Sequence, residues 1–256
     1  MTNPNDAIKK VAQATTRREK ATKEKRKRKA AIQIGPIPGV IPFDGLRNPL
    51  SRSDKAYKSG MLIRTKANGF MPSVALNDSE AEEAVKIEAL LQPNVYDVKC
   101  QPYKVKLPGE KTRAKSHCFD VGIRLECGTY KLVYVRGEVS LQSRTTNTEI
   151  AEIVRRTPKD AADEIVVISD LSFSRVYRDN NRRIMMCHLM PDADADQAVV
   201  ELTRHAAKRV RLENIVHESG LPESTAWQAI MRMIGAGRIG TERDAVIDYP
   251  SYIWST

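Results

Sequence analysis

The 256-residue sequence predicts an α/β fold: a mixed sheet with flanking helices, then a small, mainly helical domain, preceded by a basic N-terminal arm. Three observations predict it. Two runs rich in β-branched and aromatic residues, Phe119–Leu125 and Tyr130–Val135, flank Glu126-Cys127-Gly128-Thr129, which is the pattern of a β-hairpin. Helix-prone stretches, Ser79–Leu91 and Thr145–Arg156, stand on either side of that hairpin, and the short apolar run Glu164–Ser169 reads as a buried strand. After Asp196 the apolar spacing changes to the helical period and keeps it.

Residues 1–31 form the arm. Ala7–Ala31 is basic and helix-prone, and Lys25-Arg26-Lys27-Arg28-Lys29 contains no acid. Such a block repels itself and does not fold alone. It serves either as a solubilising tail or as a DNA contact that releases counterions. Residues 32–72 carry the Pro- and Gly-rich run Ile34-Gly35-Pro36-Ile37-Pro38-Gly39 and read as an extended leader around the core, with a short strand near Met61–Arg64.

A first domain is expected over 73–190. Asn77-Asp78-Ser79 supplies N-cap residue types for a helix that Pro93 stops, and Glu82 shares a face with Val85 and Ala89. Ser79-Glu80-Ala81-Glu82 is also a capping-box pattern, in which Glu82 satisfies only a backbone N–H. Val95–Cys100 and Tyr103–Leu107 read as strands. Thr148 is the expected cap of the helix after the hairpin. Leu171–Tyr177 and Arg182–Leu189 follow, separated by a polar break at Asp179-Asn180-Asn181.

The second domain is expected over 191–256. Helices are expected at Ala198–Arg209, Leu212–His217 and Pro222–Ile234, with Gly235-Ala236-Gly237 as the stop. Arg238-Ile239 would pair with Ala245–Ile247 across Thr241–Asp244 as a small wing. This is the winged-helix pattern, whose third helix commonly enters the major groove. Ser224, Thr225, Gln228 and Arg232 are the exposed candidates on that helix, for DNA or for a protein partner.

The hairpin holds the candidate chemistry. Asp120 sits near the start of its first strand, and Tyr134, Arg136 and Glu138 follow one another at strand spacing on the second. An acid on one strand and a cation at the end of its neighbour can hold a metal and a scissile phosphate side by side. The net charge of +10 favours an anionic partner, although much of the excess lies in the arm. The four cysteines show no CxxC spacing and read as reduced thiols of a cytosolic protein. His117-Cys118 and Cys187-His188 have zinc-ligand chemistry, but packing is the simpler reading. No apolar run spans a bilayer and no secretory signal peptide is present, so no membrane partner is expected. Neither GxGxxG nor GxxxxGK[ST] occurs, which disfavours a nucleotide-sensing regulator.

Several segments, taken in order, resemble the TnsA endonucleases of heteromeric cut-and-paste transposases, which have a restriction-endonuclease-like core. Asn77-Asp78-Ser79-Glu80-Ala81-Glu82 is similar to that family's acidic helix start. Val95-Tyr96-Asp97-Val98-Lys99-Cys100-Gln101-Pro102 is similar to the strand that ends in Gln. Phe119-Asp120-Val121 is similar to the segment with the metal-binding acid. Val133-Tyr134-Val135-Arg136 falls where the family has an acid or Gln, an apolar residue, then Lys. Val167-Ile168-Ser169-Asp170 and Asn181-Arg182-Arg183-Ile184 are similar to its closing segments, so the likeness covers Ser73 to Met190.

The resemblance implies a metal-dependent DNA endonuclease subunit that cuts the 5′ strand at transposon ends. An integrase-like transposase subunit and an AAA+ ATPase regulator would be its partners, in the nucleoid-associated cytoplasm of a bacterium. Glu82 and Asp120 would ligate Mg²⁺ or Mn²⁺, Gln101 would be a positioning residue, and Tyr134 and Arg136 would take the last two active-site positions. Arg136 keeps the family's positive charge without lysine's acid–base chemistry, and Glu138 is a candidate replacement ligand. The alternative is a catalytically weakened or inactive DNA-binding adaptor that recruits transposition partners.

Overall fold

The structure is a computed structural model and describes residues 31–50, 57–107, 115–206 and 208–256. The basic run Lys25–Lys29 lies outside the described residues. The leader is extended, as expected. Ile41 donates to the Pro72 carbonyl and accepts from Val74, which lays the leader beside β2 (Ser73–Asn77); β2 pairs antiparallel with β1 (Ser59–Ile63).

The central sheet has four strands in the order β3 (Val95–Cys100), β6 (Val121–Leu125), β7 (Tyr130–Arg136) and β8 (Glu164–Ser169). The first three are antiparallel neighbours, and β7 and β8 run parallel, with Arg136 opposite Ser169. A parallel pair needs a crossover, and here it runs through α2 (Glu138–Leu141) and α3 (Arg144–Arg156). A side pair, β4 (Lys104–Lys106) and β5 (Ser116–Cys118), leads from β3 into the hairpin.

Alternation along β7 divides the core into two layers. Val133 faces Val85 and Ala89 of α1 (Glu80–Leu91), whereas Leu132 and Tyr134 face Ile153 of α3. The helix α1 is capped as expected, with the Ser79 hydroxyl accepting from the Glu82 amide. Two local expectations need correction. Ser143 occupies the N-cap of α3, while the Thr148 hydroxyl donates back to the Arg144 carbonyl inside that helix. Asp179-Asn180-Asn181 does not break the chain, because α4 runs unbroken over Arg175–His188.

The C-terminal part follows the order α5 (Ala193–His205), β9 (Val210–Arg211), α6 (Leu212–Glu218), α7 (Glu223–Gly235), β10 (Ile239–Thr241) and β11 (Tyr252–Ser255). Its three antiparallel strands are ordered β10–β11–β9. The partner of β10 is therefore Tyr252–Ser255 and not the expected Ala245–Ile247. The latter segment is held elsewhere: Asn180 donates to the Ala245 carbonyl and accepts from the Ile247 amide.

One buried cluster joins Ile87 and Leu91 of α1, Ile184 and Cys187 of α4, and the helices α5 to α7, so the apolar core continues across residue 190. Gly235 makes the α4–α7 contact possible, since a Cβ there would come within 2.4 Å of an Ile184 methyl. No helix among the described residues is long and apolar enough to cross a membrane.

Candidate active site

Helix α1, the hairpin and the leader meet at a cleft of about 380 Å³. Glu82, Asp120, Tyr134 and Arg136 all line it, so a helix acid, a hairpin acid and a strand-end cation converge as the sequence suggested. A second cleft of about 570 Å³ adjoins it and shares Asp78, Glu82, Val135 and Arg136, adding Lys58 and Arg178 to the walls.

Each acid is anchored by a backbone amide. One Glu82 oxygen accepts from the Asp78 N–H at 3.0 Å, while its own amide donates to the Ser79 hydroxyl at 3.1 Å. The capping pattern is thus present in a shifted form that reaches one residue beyond the N-cap. Asp120 Oδ2 accepts from the Val135 N–H at 2.8 Å, and its backbone is tied to Val133 and Gln101. No hydrogen bond holds Asp120 Oδ1 among the described residues. Asp120 and Arg136 form no ion pair there either, so the acid is not simply the structural partner of that cation.

Burial and charge crowding set the ionisation of the pair. Asp120 is only 6% exposed. Burial first, and the Glu82 charge second, push its carboxyl up to about 7. Burial also raises the Glu82 carboxyl, against the pull of Lys86, Arg47 and Lys58. Behind the pair lies Lys86, completely buried, which donates to the Leu76 carbonyl at 2.9 Å and to Asn77 Oδ1 at 2.8 Å. Its ammonium is 3.9 Å from Glu82 Oε2.

Arg136 stands at the end of β7 with its guanidinium toward the Tyr134 ring, 5.8 Å from the centroid, and Nε donating to the Ser140 hydroxyl at 3.2 Å. Tyr134 is buried and packs edge-on against His117, with centroids 4.2 Å apart. Burial, then the nearby Arg136 and Arg47, lower the His117 imidazole to about 4, so it is neutral at pH 7.

Three expected residues lie outside the cleft or in the core. Glu138 opens α2 and so leaves the strand face of Tyr134 and Arg136. Gly137 is that helix's N-cap, the Glu138 amide donates to Asp170, and its carboxylate accepts from the Ser169 hydroxyl at 2.6 Å. Gln101 is fully buried behind the site and holds the leader. Arg232, expected on the exposed face of α7, is only 3% exposed; it donates to Asp196 at 2.8 Å and to the Met190 carbonyl at 2.7 Å. The helical period places position 232 toward α5, where an acid waits for it. Ser224 is exposed, and Thr225 and Gln228 are half-exposed.

The cleft also contains Arg47, Asp78, Lys104, His117 and Glu149, none of which the sequence assigned to the site. The sequence marks His117 only as a zinc-ligand type. Among the described residues no group of three or more His, Cys, Asp or Glu side chains is arranged to hold a metal ion. The carboxylates of Glu82 and Asp120 still suit Mg²⁺, which takes one or two carboxylates and fills its remaining positions with water and substrate phosphate. Compared with known proteins, the chain matches no protein-family model and no curated protein.

Proposed function

We propose that the protein is a metal-dependent DNA endonuclease subunit of TnsA-like type, cutting the 5′ strand at transposon ends with a partner transposase. The observation that carries this reading is the convergence of Glu82, Asp120 and Arg136 on one cleft from a helix, a strand start and a strand end. The helix–three strands–helix–strand order around a mixed sheet supports a restriction-endonuclease-like core. The order α5–β9–α6–α7–β10–β11, with its three-stranded antiparallel sheet, supports a winged helix that presents Ser224, Thr225 and Gln228.

Glu82 and Asp120 would hold the Mg²⁺ or Mn²⁺, which when bound would supply an activated water and charge stabilisation at the scissile phosphate. The residues themselves do the rest. The Asp78 and Val135 amides aim the two carboxylates, and Lys86 offsets part of their charge from behind. Arg136 offers guanidinium donors to a phosphate oxygen. The adaptor reading draws on one observation: both acids already serve backbone amides and would be kept for folding alone.

Nicking of transposon-end duplexes by the purified protein with its transposase partner and Mg²⁺ or Mn²⁺ tests the proposal. Asp120→Ala should abolish 5′-strand nicking while leaving DNA binding and the native circular dichroism spectrum intact. Wild-type protein that binds these ends but never nicks them, with either metal, would favour the adaptor.

A further inference from the structure

We propose that Arg47, delivered by the leader, is a second phosphate-contacting residue of the site beside Arg136; this rests on the nucleic-acid reading above and not on cleavage. The leader chain is held at the cleft by Gln101, whose carbonyl accepts from the Leu46 amide at 3.2 Å. Gln101 adopts φ +46°, a conformation that non-glycine residues rarely take and that persists only where the surroundings enforce it. Its side chain is fully buried and turned onto Arg47. With the amide oriented to satisfy both groups, Nε2 donates to the Arg47 carbonyl and Oε1 accepts from the guanidinium Nη2 at 3.2 Å. Asp78 Oδ2 accepts from the same Nη2 at 2.9 Å.

This anchors the guanidinium at Nη2 and leaves its other two nitrogens without partners among the described residues. Among the described residues, every hydrogen bond of the Arg47 guanidinium uses Nη2, the nitrogen common to both of its fork edges, so Nη1 and Nε each keep donors for single contacts to an incoming anion. The side chain is 48% exposed and lines the cleft that contains Glu82 and Asp120. A plain surface ion pair with Asp78 does not explain the arrangement. Asp78 is already paired with Lys58, and an exposed pair contributes only about 0–1 kcal/mol. A permanent cation anchored at Nη2, with Nη1 and Nε still able to donate, can give a single charge-assisted hydrogen bond to a phosphodiester oxygen.

The test is fluorescence anisotropy of a labelled duplex oligonucleotide binding to the full-length chain in EDTA, across a salt series. Arg47→Ala should weaken binding about tenfold and reduce the slope of log K against log salt by about 0.9, the loss of one phosphate contact. Arg47→Gln keeps a polar side chain at the position but carries no charge; it should show the same loss of slope, and it decides the question if the alanine variant fails to fold. Unchanged affinity and slope in a folded variant would overturn the proposal. A wild-type protein that binds DNA through Arg47 yet never cuts it would defeat the nuclease reading alone.

Discussion

Asp120 feels opposing influences on its ionisation. The Val135 amide favours the carboxylate, while burial and Glu82 favour the neutral acid and prevail, bringing the carboxyl to about 7 from an ordinary 3.8. A folded-state value above the unfolded one means that the native protein holds the proton more tightly. The resulting stabilisation is complete below about pH 4 and is lost as pH rises through 7. Asp120→Asn is neutral at every pH and keeps an oxygen for the Val135 amide. It should therefore be more stable than wild type at pH 8, on the order of 1–3 kcal/mol, and closer to wild type at pH 4. Thermal melts at the two pH values check this; parallel pH curves for the two proteins would count against it. A site residue whose removal stabilises the fold is expected where charges are crowded for chemistry.

At the scale of elements, α4 connects the two halves of the molecule. Its Arg182 donates to Glu83 of α1 at 2.7 Å, and Asn181 and Tyr177 both donate to Glu88 of the same helix at 2.9 Å. On the other side Asn180 donates to the Arg243 and Ala245 carbonyls at 2.8 and 2.7 Å and accepts from the Ile247 amide. Asn180 is 1% exposed, so water cannot easily replace it. Asn180→Ala leaves two carbonyls and one amide short of a partner and should cost about 2–4 kcal/mol. Hydrogen exchange should locate the damage, with the Ile247 amide exchanging faster than those of β6 and β7. Equal protection at Ile247 in both proteins would mean that the loop is held by its apolar contacts alone.

For the molecule as a whole, the net charge of +10 is unevenly distributed, with a dense basic block between Lys9 and Lys29. That block lies outside the described residues, and its expected role is non-specific attraction to DNA. Deleting residues 1–31 should weaken binding to all sequences alike and flatten the salt dependence, since each phosphate contact contributes about 0.7–0.9 to the slope. Equal slopes with and without the arm would leave it as a solubilising tail. The Arg47 measurement is independent of the arm, because both proteins in that comparison carry it.

Local sequence determined the elements. Ser79 and Pro93 bracket α1, the turn Glu126–Thr129 fixes the hairpin, and the run Glu164–Ser169 coincides with β8, because caps, turns and apolar runs act over a few residues. The strand spacing and the family resemblance together, and not the capping pattern, single out Glu82, Asp120, Tyr134 and Arg136, which line the cleft, and also Glu138, which does not. Tertiary structure decided what depends on partners distant in the chain. Asn180 and Asn181 read as a break until their carbonyl and carboxylate partners, more than sixty residues away in each case, are in place. Arg232 read as exposed until Asp196 came to meet it, and Tyr252–Ser255 displaced Ala245–Ile247 as the partner of β10 because Asn180 had already claimed that segment. Arg47 joined the cleft only because Gln101 holds the leader there, a contact between residues 54 positions apart that no local spacing records.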